Sequence, residues 1–255
     1  MTADNVDAEA LRRERFYGRR RGRRLRPKRQ RLLDSLLPRV AIDLPGGDGP
    51  LDLRRAFGRE PDRLWLEIGF GGGEHLALQA RMHPDVLWLA CEPYLDGVAK
   101  LLEFVAATEA RNIRILADDA RPLIRRLPEA CLGRVFVLFP DPWPKARHVR
   151  RRIVSPATVA GLARAMRDGA ELRLATDHPD YLGWMLRHVR MDGSFEWLAR
   201  RPADWRSRPD DWPETRYERK ALAKGIPCTY LRFRRVARRP AADRDAPGGC
   251  DKTLV

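Results

Sequence analysis

The chain has little that would anchor it in a bilayer, staple it with disulfides or hold a metal. In its 255 residues no apolar run reaches the ~18 residues of a membrane-spanning helix, so no membrane span is expected. Its four cysteines, Cys91, Cys131, Cys228 and Cys250, are scattered and form no CxxC pair. That spacing argues against a disulfide scaffold or zinc site and for reduced thiols in a cytoplasmic protein. The opening MTADNVDAEALRRERF lacks the apolar core of a secretory leader. Asp4, Asp7, Glu9 and Glu14 interrupt what could otherwise resemble an organellar transit peptide. His75 and His148 have no acidic or cysteine partner at ligand spacing, so no metal is expected. No internal repeat is visible, and no obligate protein partner is indicated; a monomer or a homodimer both fit.

What the chain has in excess is positive charge. The net charge of +15 suits a polyanionic partner and makes a small-molecule substrate an unlike match. Twelve of the twenty residues from Arg12 to Arg31 are basic, and residues 1–31 as a whole carry +8. The remaining +7 means that the body is basic without its arm. Phe16 and Tyr17 among the arginines add rings that stack on bases, which favours RNA. Residues 1–50 are therefore read as a basic arm and linker, ending in the turn-rich LPGGDGP of Leu44–Pro50. Residues 239–255 are read as a disordered tail. Deleting the arm is expected to raise the Michaelis constant for RNA and to leave cofactor affinity intact.

Between these ends, residues 51–238 alternate strand and helix. Apolar runs at Leu64–Ile68, Val86–Cys91, Ile113–Ala117, Val135–Phe139 and Leu172–Ala175 read as buried strands. Helical spacing separates them at Glu74–Met82, Asp96–Thr108, Ala120–Leu127, Ser155–Arg167 and Pro179–Val189. Weaker strands follow at Phe195–Leu198 and Thr229–Arg235. This is the pattern of an α/β domain, a mostly parallel sheet with helices on both faces. Ligands of such sheets bind beyond the carboxyl ends of the strands. The first strand there runs into Gly69-Phe70-Gly71-Gly72-Gly73, a tight turn with room for close backbone approach. The spacing is not the GxGxxG of dinucleotide binders. Glu67 lies in the first strand, Glu92 follows the second, Asp118-Asp119 the third and Asp141 the fourth. Such a ring of carboxylates suits a cationic sulfonium and ammonium and would repel a pyrophosphate. It points to S-adenosylmethionine.

The fourth strand leads into PDPWPKARHVRRR, residues 140–152. Three prolines around Asp141 and Trp143 stiffen the loop, each fixing φ and restraining the residue before it. Five Lys or Arg residues and His148 then follow within eight positions, which suits phosphates. This loop, with LEIGFGGGEHL upstream and ATDHPDY and TRYE downstream, resembles the bacterial tRNA (guanine-N7-)-methyltransferase family over roughly Arg12 to Arg234. The resemblance implies a Rossmann-like, seven-stranded class I methyltransferase fold. It also implies methyl transfer from S-adenosyl-L-methionine to N7 of the variable-loop guanosine, position 46 of tRNA.

By the same resemblance, cofactor binding falls to Glu67, Gly69, Glu92, Asp119 and Asp141, with Asp141 also the active-site carboxylate. Substrate contact falls to Lys145, Asp177, Thr215, Arg216, Tyr217 and Glu218. The double acid Asp118-Asp119 leaves open which carboxylate meets adenine. Asp177 and Glu218 are expected to accept hydrogen bonds from guanine N1–H and the 2-amino group, and Arg147 to Arg152 to hold phosphates. Two plainer readings stand beside these, Asp177 as a helix cap and Thr215–Glu218 as a surface turn. Other functions compatible with the residues alone are methylation of another RNA position, dinucleotide-dependent redox chemistry and RNA binding without catalysis.

Overall fold

The computed structural model describes residues 18, 20–22, 24–44 and 49–238. The expectations for the first seventeen residues, for the centre of the glycine-rich linker and for the tail after Arg238 lie outside them. Seven strands form one sheet: β1 (Leu64–Ile68), β2 (Leu87–Cys91), β3 (Ile113–Leu116), β4 (Leu132–Leu138), β5 (Met166–Thr176), β6 (Phe195–Trp197) and β7 (Thr229–Arg235). Their order is β3-β2-β1-β4-β5-β7-β6. The first five run parallel, and β7 inserts antiparallel between β5 and β6. This is the seven-stranded, mainly parallel sheet expected from the sequence.

The central strands read as apolar runs because both of their faces are covered. All five residues of β1 and all five of β2 are buried. The principal helices are α1 (Pro27–Ser35), α2 (Glu74–Met82), α3 (Leu95–Thr108), α4 (Ala120–Arg126), α5 (Pro156–Ala165), α6 (Pro179–Asp192) and α7 (Arg216–Leu222). Local chemistry sets several of their starts. Asp119 caps α4 by accepting from the Arg121 amide, and Ser155 caps α5, where Pro156 takes the first position. On one face of the sheet Trp65, Trp88 and Phe136 form an aromatic cluster, with Trp65 and Trp88 edge-on at 5.1 Å. Such pairs add about 0.5–1.5 kcal/mol each beyond the area they bury.

Three boundaries differ from the sequence reading. The helix expected to reach Arg167 stops at Ala165, because Met166 already pairs with Leu132 and starts β5. Polar Arg167-Asp168-Gly169 hides this end of the strand, with Gly169 at φ +79°. Second, residues on both sides of position 51 are folded. Ile42 is buried and donates its amide to Ile115 of β3, and α1 lies along α3, where Arg29 reaches Asp96 and Glu103. Third, Thr215–Glu218 is not a turn but the start of α7. Among the described residues no helix is long and apolar enough to cross a membrane.

Candidate active site

Strand order reverses between β1 and β4, so the switch point of the sheet lies between the glycine turn and the proline loop. A cavity of about 940 Å³ opens there. Gly69, Gly71 and Gly73 have φ of +72°, +57° and +80°, a conformation that only glycine adopts freely. Gly97, near the start of α3, is required for a different reason. A Cβ on it would stand 2.1 Å from the carbonyl oxygen of Gly71, so α3 and the turn fit together only without one.

Glu92 follows β2 directly and is buried. Its Oε2 accepts from the Gly71 amide at 2.8 Å and its Oε1 from the Tyr94 amide at 2.9 Å. Each oxygen keeps a second lone pair for a ligand hydroxyl. Burial pushes the carboxyl up, the Tyr94 and Gly71 amides pull it down, and the negative charges of Asp141 and Glu67 add to the rise. Asp119 is buried and held by the amide and guanidinium of Arg121, whose other nitrogen bonds the Arg151 carbonyl. Asp118 is half-exposed and pairs with Arg20 at 2.5 Å. Both carboxylates line the cavity.

Asp141 stands on the opposite side of the switch point. Although it lies at the exposed mouth of the cavity, surrounding protein atoms desolvate its carboxyl and raise it. The loop that carries it is strained. Phe139 and Trp143 have φ of +51° and +42°, the left-handed region that bulky side chains avoid, at a cost of about 1–3 kcal/mol each. Arg152 holds the loop in place. This arginine is buried, its Nε donates to the Pro142 carbonyl at 2.7 Å, and its guanidinium lies over Tyr181 and Trp184 at 4.9 and 5.0 Å. The phosphate role expected for the whole stretch from Arg147 to Arg152 therefore does not extend to Arg152.

The structure brings Gly69, Glu92, Asp119, Asp141, Arg216 and Tyr217 to one cavity. Tyr217 is half-exposed, and its ring edge lies over Gly71. Burial, followed by the charges of Glu92 and Asp141, raises its phenol. Glu67 is placed differently. It is buried, and its Oε2 meets His75 Nδ1 at 2.7 Å beneath the glycine turn. Lys145 is exposed on the proline loop, and Asp177 is half-buried after β5. The helix cap at that point is His178, which makes no side-chain capping bond, so the Asp177 carboxylate is not used as a cap.

Thr215 and Glu218 are occupied by α7 itself. They form a reciprocal capping box in which Thr215 Oγ1 accepts from the Glu218 amide and Glu218 Oε2 accepts from the Thr215 amide. Glu218 Oε1 also takes the Tyr230 hydroxyl at 2.5 Å and Arg208 at 2.8 Å. With its side chain 2% exposed, Glu218 is a buried anchor here, not an acceptor presented to a base. The signal was readable, since T-x-x-E before an apolar run is a capping box. Several lining residues missed by sequence reasoning come from the arm. Gly22, Arg24, Leu25, Arg26 and Arg29 line the same cavity, and the Arg20 carbonyl accepts from the Leu95 amide. The arm is thus part of the pocket wall. Among the described residues no group of three or more His, Cys, Asp and Glu is arranged to hold a metal.

A family model described as "Putative methyltransferase" matches residues 61–231. The tRNA (guanine-N(7)-)-methyltransferase of Rhodospirillum rubrum is 51% identical over 239 residues, covering 92% of this chain and 94% of the relative. The enzyme of the same name from Nitrobacter hamburgensis is 47% identical over 220 residues, covering 86% of each. Among solved structures, TrmN from Thermus thermophilus superposes with a TM-score of 0.50 at 17% identity, over 72% of this chain and 47% of that one. That last likeness concerns the fold alone.

Proposed function

The chain belongs to the tRNA (guanine-N(7)-)-methyltransferase family, and from that premise we propose that it methylates N7 of a guanosine in tRNA with S-adenosylmethionine as donor. The observation that carries the proposal is the pair of desolvated carboxylates, Glu92 and Asp141, on either side of the glycine turn at the switch point.

The residues present fit the donor. The left-handed glycines let backbone approach it closely, and about 940 Å³ is ample for a nucleoside with an amino-acid tail. Glu92 would accept the ribose hydroxyls and Asp119 or Asp118 the adenine amino group. When bound, S-adenosylmethionine supplies a methyl group on a positively charged sulfur. Asp141, on the cavity wall, would supply a negative charge that favours the bound cation and offsets the positive charge a guanine ring gains on methylation. Preorganised charge of this kind, in a partly desolvated site, stabilises a transition state without reorganisation.

Guanine N7 has an in-plane lone pair and no proton, so no general base is needed to create the nucleophile. The chain's main task is alignment. The strained backbone around Asp141 and the Arg152 clamp serve that task by fixing the carboxylate. Asp177 is the remaining candidate for guanine N1–H and the 2-amino group, given that Glu218 is engaged within α7. Lys145 supplies a flexible cation for an RNA phosphate. Incubation with radiolabelled S-adenosylmethionine and unmodified tRNA, followed by nucleoside separation, tests the reading. Label is expected in 7-methylguanosine, and label in any other nucleoside overturns it.

A further inference from the structure

A second groove, of about 1110 Å³, lies at the opposite end of the sheet, where β2 and β3 begin. Its floor is apolar, with Leu36, Val40, Phe57 and Phe104 among its residues. Its rim carries Arg39, Arg59, Arg81 and Arg111, all exposed. None of the four has an acidic partner among the described residues, and Glu109 is the one carboxylate lining the groove. Arginines over an apolar floor keep their stems dry and their forks outward, a geometry that matches phosphate oxygens bidentately.

A fifth arginine gives an independent sign. Arg114 is half-buried in the same groove, over the Phe57 ring at 5.2 Å. Its hydrogen bonds go to the carbonyls of Ala56 at 2.6 Å, Ile113 at 2.9 Å and Arg111 at 3.2 Å, with no carboxylate among them. Desolvation lowers its guanidinium's affinity for the proton. A partly buried cation without a counter-charge is costly, and an anion in the groove would relieve it.

The groove is also joined to the active-site cavity. Arg29 of α1 lines the cavity, while Leu32 and Ser35 of the same helix line the groove. Lys28 and Arg31 are exposed along it. The helix spans roughly 13 Å, so Lys28 and Arg31 set positive charge between the two sites, while Arg29 is paired with Asp96 and Glu103. A folded RNA with helical arms offers backbone to both sites at once, whereas a stem-loop seated by its target base offers only the backbone of its one stem.

We propose that this groove is a second docking site for the tRNA, holding the sugar-phosphate backbone of a helical arm away from the methylated base. The inference rests on tRNA being the substrate. The test is a variant with Arg39→Ser, Arg59→Ser, Arg81→Ser and Arg111→Ser, all distant from the proposed chemistry. Binding is read by fluorescence anisotropy across a salt series, with full-length tRNA and with a short stem-loop carrying the target guanosine.

The Kd for full-length tRNA is expected to weaken about tenfold or more, and its log–log salt slope to become shallower by about two to three. The melting temperature, the Kd for S-adenosylhomocysteine and the Kd for the stem-loop are expected to stay as in the parent. Unchanged affinity and slope for full-length tRNA would overturn the proposal. So would an equal loss for the stem-loop, which would place the groove's effect at the reacting region. A parent dimer that dissociates in the variant with tRNA affinity intact would instead make the groove a self-interface. Parent protein that binds tRNA through the groove but forms no 7-methylguanosine would refute the proposed reaction and leave the groove standing.

Discussion

Desolvation raises the carboxyls of Glu92 and Asp141, and this has two consequences that pull in opposite directions. The proposed mechanism needs Asp141 ionised beside developing positive charge, so turnover should fall as pH drops through its raised pKa. The acid limb of kcat/KM is therefore expected above the ordinary aspartate value of 3.8. Stability behaves the other way. A carboxyl whose folded pKa exceeds its unfolded one contributes stability below the unfolded value, and that contribution is lost as pH rises through the folded value. Asp141→Asn should thus melt with the parent at acid pH and above it at neutral pH, while losing most single-turnover activity, about 100-fold. Calorimetry across pH and rapid-quench methylation check both limbs. A variant with near-parental turnover removes Asp141 from the chemistry.

At the scale of elements, the loop between β4 and α5 is held by contacts remote in sequence. Arg152→Ala would leave the Pro142 carbonyl without its donor and the Tyr181 and Trp184 rings without their cation. A loss of about 2 kcal/mol in stability is expected. Because Asp141 would then drift relative to the substrate, kcat should fall about 10- to 100-fold. The Kd for S-adenosylhomocysteine should change little, since the glycine turn and Glu92 do not rest on Arg152. Arg152→Lys, which keeps charge but not the flat guanidinium, should recover only part of kcat. Parental kcat in both variants would refute the clamp.

This loop also shows what could be read from the chain. Prolines, aspartate and glycine turn stand at strand ends, where periodicity locates them, and the five parallel strands follow from short apolar runs. Arg152 was unreadable because nothing in RRR tells a buried arginine from an exposed one; the difference is made by Tyr181 and Trp184, 29 and 32 residues further along the chain. Thr215 and Glu218 were legible as a capping box, but their position beside Arg216 and Tyr217, which do line the cavity, drew them into the same role. His75 on Glu67 depends on the burial of both under the glycine turn, a fact of packing and not of spacing.

For the whole molecule, the distribution of charge in the N-terminal arm separates two roles that a single deletion would confuse. Residues 1–17 carry three arginines and four acids, whereas residues 18–31 carry nine basic side chains and no acid. The same second stretch lines the cavity at the switch point, and its Arg20 meets Asp118. A chain starting at residue 18 should therefore keep the salt slope of tRNA binding and the Kd for S-adenosylhomocysteine. A chain starting at Pro27 loses six more arginines, those of residues 18–26, and part of the pocket wall. Its salt slope should become shallower by several units, and its cofactor Kd should weaken about tenfold, corresponding to roughly 1.4 kcal/mol. Titration calorimetry and anisotropy on the two truncations read these effects separately. Cofactor affinity that survives removal of residues 18–26 would show the arm to be an RNA-binding element only, despite its place in the wall of the cavity.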